Sequence, residues 1–239
     1  KASGEVQQIM VPLAFMMLLW ISVFTGGQFL MTSTIEEKSS RVMEVLLGSV
    51  SPNELMTGKI IGIGLVGLTQ VAIYVVTAGA LRVYFAAQQA AAEWTSALDA
   101  FSPVKMMWFV VFYALGYFMY TALFAAIGAV CNSEQEAQNL QTPVVMCLVI
   151  PMLMAFFFVN NPDSTVAVIV SMIPIFTPMV MFMRISVLTP PLWQILLSVA
   201  LMLGMIWLLF KGAAKIFRIG VLMYGKRPTI PEILRWARG

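Results

Sequence analysis

Six stretches of this chain carry no charged residue: 6–35, 60–81, 106–133, 137–162, 164–183 and 185–210. Each is long enough to cross a bilayer, which a helix does in about 20 apolar residues. Soluble domains do not carry so many such runs, because charged residues there make up about a quarter of the chain. Here they are 10 %, against 60 % hydrophobic residues and a mean hydropathy of +0.89. Inside hydrocarbon a backbone must satisfy its own hydrogen bonds, so runs of this length fold as helices. The expectation is an all-α integral membrane protein, one domain over residues 1–239, with about five transmembrane helices.

The fifth stretch is the exception. It contains Pro174 and Pro178, follows the turn-like Asn160-Asn161-Pro162-Asp163, and precedes Pro190-Pro191. Prolines four residues apart remove enough helical hydrogen bonding to favour two short helices over one span. With the charged insert at 34–59 in the cytoplasm, spans near 9–31, 60–81, 106–130, 141–159 and 191–210 leave the C-terminal end inside. The basic tail, 211–239, holds Lys211, Lys215, Arg218, Lys226, Arg227, Arg235 and Arg238, half of the fourteen cations. The positive-inside tendency places such a tail in the cytoplasm. A full span at 164–183 would export all seven, so 164–189 is expected to be an external re-entrant helical hairpin. The external segments, 82–105 and 160–190, then carry only Arg82, Lys105 and Arg184 as cations.

The insert Ile35–Lys59 is the main polar feature. Thr34 followed by Glu37 has capping-box spacing, and Glu36 and Glu37 suit the positive end of a helix. Glu37 and Arg41 form an i,i+4 pair. A short helix is expected within 34–48, with Ile35, Val42, Met43, Leu46 and Leu47 on one side and Gly48 ending it. Ser51-Pro52-Asn53-Glu54 repeats the start signal for the next helix. Such an insert is either a solvated loop or a docking helix along the membrane surface. Pattern alone does not separate the two.

The run Glu36-Glu37-Lys38-x-x-Arg41-x-Met43-Glu44-x-Leu46-Leu47, then Ser51-Pro52, then Leu55-x-x-Gly58-Lys59-x-x-Gly62, resembles the coupling-helix region of type-2 ABC exporter permeases. It is most similar to the sodium-export, Nat-type branch. The resemblance implies a cytoplasmic coupling helix seated in a groove of an ATPase subunit, with Glu36, Glu37, Lys38, Arg41, Met43, Glu44 and Leu47 at the contact. It also implies a pair of permease subunits, alike or different, working with two ATPase subunits that hold ATP and Mg. Opening at Lys1-Ala2-Ser3-Gly4, the chain reads as part of a longer one. Such permeases usually carry an earlier helix and, in this branch, a large external domain.

A second cytoplasmic feature is Asn132-Ser133-Glu134-Gln135-Glu136-Ala137-Gln138-Asn139-Leu140-Gln141. Ser133 and Glu136 form a capping box, and the amides carry polarity into the foot of the next helix. Glu134, Glu136 and Gln138 are candidates for a second ATPase contact or a cytoplasmic entrance. Gly58-x-x-x-Gly62, Ala125-x-x-x-Ala129 and Ala200-x-x-x-Gly204 have helix-packing spacing.

Other chemistries have no residues to support them. Cys131 and Cys147 lack ligand spacing and there is no histidine, so neither a zinc site nor a Ser-His or Cys-His catalytic arrangement is expected. Gly58-Lys59 is followed by Ile60, with no glycine five residues before Gly58, so no phosphate loop is present. No cofactor is expected on this chain, no enzymatic activity of its own, and no nucleic-acid partner. An ion-driven carrier normally keeps an ionisable residue inside a span, and none of the expected spans has one. The expected function is the permease subunit of an ATP-driven exporter in the bacterial inner membrane, moving sodium or a drug-like compound. The alternatives are a secondary transporter and a non-transporting membrane scaffold.

Overall fold

The computed structural model describes residues 2–40, 48–87 and 102–220, and every regular element among them is a helix. In chain order these are α1 (Ala2–Ser39), α2 (Pro52–Ala87), α3 (Pro103–Val130), α4 (Glu134–Leu153), α5 (Ala155–Asn160), α6 (Thr165–Met172), α7 (Thr177–Val187) and α8 (Leu192–Gly220). The all-α class read from the charge-free runs is the class observed.

Four stretches are long and apolar enough to cross a membrane: Pro12–Ser39, Thr57–Tyr84, Pro103–Val130 and Leu192–Ala213. They correspond to four of the five expected spans. The fifth, 141–159, is divided between α4 and α5 by a turn at Met154, whose φ of −87° and ψ of 3° lie outside the helical well. Pro143 and Pro151 each remove a backbone donor from α4.

The chain forms two compact units whose boundaries fall inside α1, α2, α3, α4 and α8. The first unit comprises Lys1–Ser22, Leu68–Gly116 and Cys147–Met202. Its centre is a trio of rings, Phe15 of α1, Phe109 of α3 and Phe182 of α7, with centroids 5.1 to 5.6 Å apart in tilted and edge-on contacts. Helix α7 is buried on all sides from Thr177 to Ser186, as an apolar helix without a polar face must be. It reaches α3 so closely because Gly116 has no side chain; a Cβ there would come within 2.8 Å of the Pro178 Cβ. Helix α6 starts at Ser164, whose hydroxyl accepts the Ala167 N–H. Residues 173–176 turn the chain, and the Thr177 hydroxyl closes the turn onto the Ser171 and Ile173 carbonyls, 2.9 Å from each. The 164–189 segment is thus two short helices, as its prolines require.

The second unit comprises Val23–Gly67, Tyr117–Met146 and Leu203–Gly239. Its core joins Leu30 of α1, Ile60 of α2, Ala125 and Ala129 of α3, and Ala213 of α8. Tyr117 is wedged against Gly26 of α1 and Gly67 of α2, and its hydroxyl donates to the Ile63 carbonyl at 2.8 Å. Gly27 gives its space to the Phe124 ring. Of the three small-residue pairs, Ala125 and Ala129 do pack in this core, whereas Gly58, Gly62 and Gly204 have nothing within 4 Å of where a Cβ would stand.

Gly128 of α3 faces the backbone of α1 itself: a Cβ there would meet the Met31 carbonyl oxygen at 2.8 Å and its Cα at 3.2 Å. Backbone cannot step aside as a side chain can, so Gly128→Ala should destabilise the detergent-solubilised protein by about 1–3 kcal/mol. Gly62→Ala, made in open space, should cost nothing. Paired thermal-unfolding curves followed by tryptophan fluorescence check this, and equal midpoints for the two variants would contradict the packing.

Candidate functional site

Two polar clusters interrupt the apolar helices. The first, in the second unit, gathers the end of α1, the start of α2, the end of α3 and the start of α4. The helix start expected at Thr34 does not form, because α1 runs on to Ser39. Thr34 is buried and its hydroxyl donates one turn back to the Leu30 carbonyl at 2.8 Å, as a threonine in a helix interior does. Leu30, Met31 and Ile35 carry the buried face of α1 straight through the junction. Each such side chain is worth about 1.5–3 kcal/mol in burial, which outweighs a cap worth about 1 kcal/mol.

Glu36, Glu37 and Lys38 consequently lie on the last turn of α1 and face three ways. Glu36 is exposed, and its carbonyl accepts the backbone N–H and the hydroxyl of Ser40. Glu37 pairs with Lys59 of α2 at 2.6 Å, an ion pair that ties the two ends of the insert. Lys38 is turned inward, 2 % exposed, and donates to the Ala129 carbonyl at 3.1 Å. A lysine there meets the negative end of the α3 dipole and satisfies one of its orphan carbonyls. Arg41, Met43, Glu44 and Leu47 lie outside the described residues.

The two other start signals form as the spacing requires. Glu54 accepts the Ser51 N–H at 2.9 Å and its hydroxyl at 2.7 Å, while Ser51 accepts the Glu54 N–H. The hydroxyl, and then the amide, hold the Glu54 carboxyl below its ordinary range. At α4 the Ser133 hydroxyl accepts the Glu136 N–H, and the Glu136 carboxylate reaches back to the Asn132 N–H at 3.1 Å. Glu134 and Gln138 are exposed. Gln141 instead faces inward and takes a 2.7 Å bond from Gln28 of α1. Lys38 and Glu136 both flank Cys131, whose thiol is pushed up to about 11 by burial and by Glu136, with Lys38 opposing.

The second cluster, in the first unit, is marked by no motif in the sequence. Arg184 of α7 is fully buried, and its guanidinium spreads over three segments. Nε donates to the Pro162 carbonyl at 2.7 Å, one terminal nitrogen to the Ser171 hydroxyl at 2.8 Å, and the other to the Gln194 amide oxygen at 2.9 Å. Asp163 stands 3.7 Å away. Burial pushes the guanidinium below its ordinary value and Asp163 opposes the shift. Lys105 adds a bond from α3 to the Ser186 carbonyl at 2.9 Å. The one sequence signal for this hub was a single arginine within otherwise charge-free sequence from 164 to 210. Elsewhere in the unit the Gln70 amide donates to Tyr74 at 2.6 Å, and Tyr74 lies 3.4 Å from Ser22. Among the described residues no three His, Cys, Asp or Glu side chains gather as a metal site.

A helical membrane chain with exposed carboxylates at the ends of its helices now meets the comparison that decides its kinship: the model for ABC-2 family transporter proteins matches residues 1–215. The chain belongs to the ABC-2 transporter family. Relatives are the uncharacterized protein YhaP of Bacillus subtilis (strain 168), 35 % identical over 249 aligned positions, and the uncharacterized protein MJ1024 of Methanocaldococcus jannaschii, 30 % identical over 226. These alignments take in 100 % and 95 % of this chain but 58 % and 53 % of the relatives, so it spans a little over half their length. No solved structure matches. As an ABC-2 protein with four helices fit to cross a bilayer, the chain is an integral membrane protein.

Two outcomes follow from the clusters. Arg184→Met takes the donor away from the Ser171 hydroxyl, the Gln194 amide oxygen and the Pro162 carbonyl at once, and should cost about 1–3 kcal/mol. Arg184→Lys keeps the charge without the fork and should recover less than half of that. Thermal unfolding of both variants decides it, since a lysine variant as stable as the parent would show that the fork is idle. For Cys131, the folded chain holds the thiol proton above its ordinary value near 9, so the stabilisation it brings is present below that pH and lost as pH climbs to about 11. In a Cys147→Ala background, maleimide labelling at pH 8 should be about a hundredfold slower than after denaturation.

Proposed function

We propose that this ABC-2 chain is the membrane-spanning permease subunit of an ATP-driven exporter of the Nat-type branch, receiving force from a separate ATPase subunit through the 34–48 segment. ATP and Mg reside on that partner, and a second permease subunit completes the pathway. The insert and the basic 211–239 tail face the cytoplasm of a bacterial inner membrane. The 164–189 hairpin faces the outside.

The observation that carries the proposal is the three-way division of the α1 end. Glu36 is free on the surface for a partner, Glu37 is tied to α2, and Lys38 is anchored at the end of α3. A push on this turn is delivered at once to two neighbouring helices, which a coupling element requires and a solvated loop does not. Exposed Glu134 and Gln138 extend the acidic, amide-rich surface onto α4, suited to a basic face on the ATPase. Sodium is the substrate the branch implies. Its candidate oxygens are those of Thr69, Gln70, Thr77 and Thr121, of which the Thr121 hydroxyl is bonded to the Tyr117 carbonyl of its own helix and the Gln70 amide to Tyr74.

The test is co-expression with the ATPase encoded nearest the chain, followed by copurification and hydrolysis in proteoliposomes. The parent should retain the ATPase and raise its hydrolysis rate. Replacing Glu37, Arg41 and Glu44 by alanine should abolish the gain by at least tenfold while membrane insertion is unchanged. Full retention and stimulation in that variant would remove the coupling role.

A further inference from the structure

We propose that the groove between α2 and α3 in the first unit is a binding site for one anionic phospholipid, an acyl chain lying along its walls and the phosphate meeting Arg82. The proposal rests on the membrane placement of the two helices and not on the transport role. Val75, Gly79 and Val83 of α2 and Met106, Met107 and Val110 of α3 line a cavity of about 610 Å³, and Arg82 is the charged residue in that lining. This volume lies within the range of sites that enclose small ligands, about 300–1,000 Å³.

Three observations select the occupant. Both walls belong to stretches fit to cross a bilayer, Thr57–Tyr84 and Pro103–Val130, and Val83 and Met107 on them are exposed, as side chains that meet acyl chains are. Arg82 stands two residues from the end of the first stretch, where a long cationic side chain carries its head to the headgroup level. Apolar walls below a cation complement a molecule that is hydrocarbon at one end and anionic at the other. A guanidinium matches phosphate oxygens two at a time. Gly79 keeps the space open: nothing lies within 4 Å of where its Cβ would be.

The experiment is native mass spectrometry of the intact protein extracted from nanodiscs containing equal phosphatidylglycerol and phosphatidylcholine of the same acyl composition. One cation near the headgroup is worth about fivefold in preference for the anionic lipid. The parent should therefore retain phosphatidylglycerol about fivefold over phosphatidylcholine. Arg82→Gln should bring the ratio to about one while total lipid retention persists. Gly79→Leu, whose Cβ enters open space in the groove, should remove the retained lipid of both kinds. Equal retention by the parent would overturn the proposal, and so would a Gly79→Leu chain that keeps its lipid. A third check uses Gly79→Cys in a chain with Cys131 and Cys147 replaced by alanine: disulfide-linked dimers in native membranes would assign the groove to a second copy and overturn the lipid site, whereas monomer supports it.

Discussion

In hydrocarbon a polar group must bring its partner with it, because no water will supply one. That constraint explains why the backbone is helical, and it also explains where the helices are fastened. The Tyr117 hydroxyl closes on the Ile63 carbonyl, Lys38 on the Ala129 carbonyl, Lys105 on the Ser186 carbonyl, and Arg184 on three acceptors at once. The first three join elements 54 to 91 residues apart, and the Arg184 bonds gather neighbouring segments 10 to 22 residues away. Apolar contacts such as the Phe15, Phe109 and Phe182 trio supply area without direction, whereas a hydrogen bond fixes donor against acceptor. Helix register is therefore set by a few side chains.

The two buried cations do this differently. Lys38 is a compact charge that caps a single helix end, where the α3 dipole already favours it. Arg184 is a planar fork, and it uses that shape to hold the Pro162 turn, α6 and the start of α8 around α7. Replacing either by the other would preserve charge and lose function of geometry. With Asp163 at the surface and 69 % exposed, the arginine's stability comes mainly from neutral acceptors, and the ion pair adds little through solvent.

Much of this was legible along the chain. Charge-free runs mark four crossing helices because length and apolarity are local properties, and prolines at 174 and 178 mark the short helix pair for the same reason. The caps at Ser51 and Ser133 formed as their spacing requires. Thr34 carries the same spacing yet lies mid-helix, since its neighbours Leu30, Met31 and Ile35 are buried against other elements and sequence spacing does not register that burial. The 141–159 run is interrupted at Met154 by one residue of non-helical conformation, with helical bonds continuing on either side. In the sequence Arg184 is only one of three cations in the external segments, because its partners lie 10 to 22 residues away and only the fold assembles them. Lys38 was grouped with Glu36 and Glu37 as one charged patch; helical geometry turns consecutive residues about 100° apart, so one face of that patch is necessarily interior.

That last point bears on how a surface turn can move a membrane helix. If all three charges pointed at a partner, the partner would grip a loop, and the motion would be absorbed by the backbone on either side. With Lys38 anchored at the end of α3 and Glu37 paired to α2, the exposed Glu36 is a handle on an assembly already tied together. Displacing it requires either breaking the buried Lys38 bond to the end of α3 or moving α1 and α3 as a body. The second course keeps that bond, and the Glu37–Lys59 pair and the Tyr117–Ile63 bond bring α2 along with it. Under the proposed coupling role, concerted helix movement is the response expected of a push at Glu36.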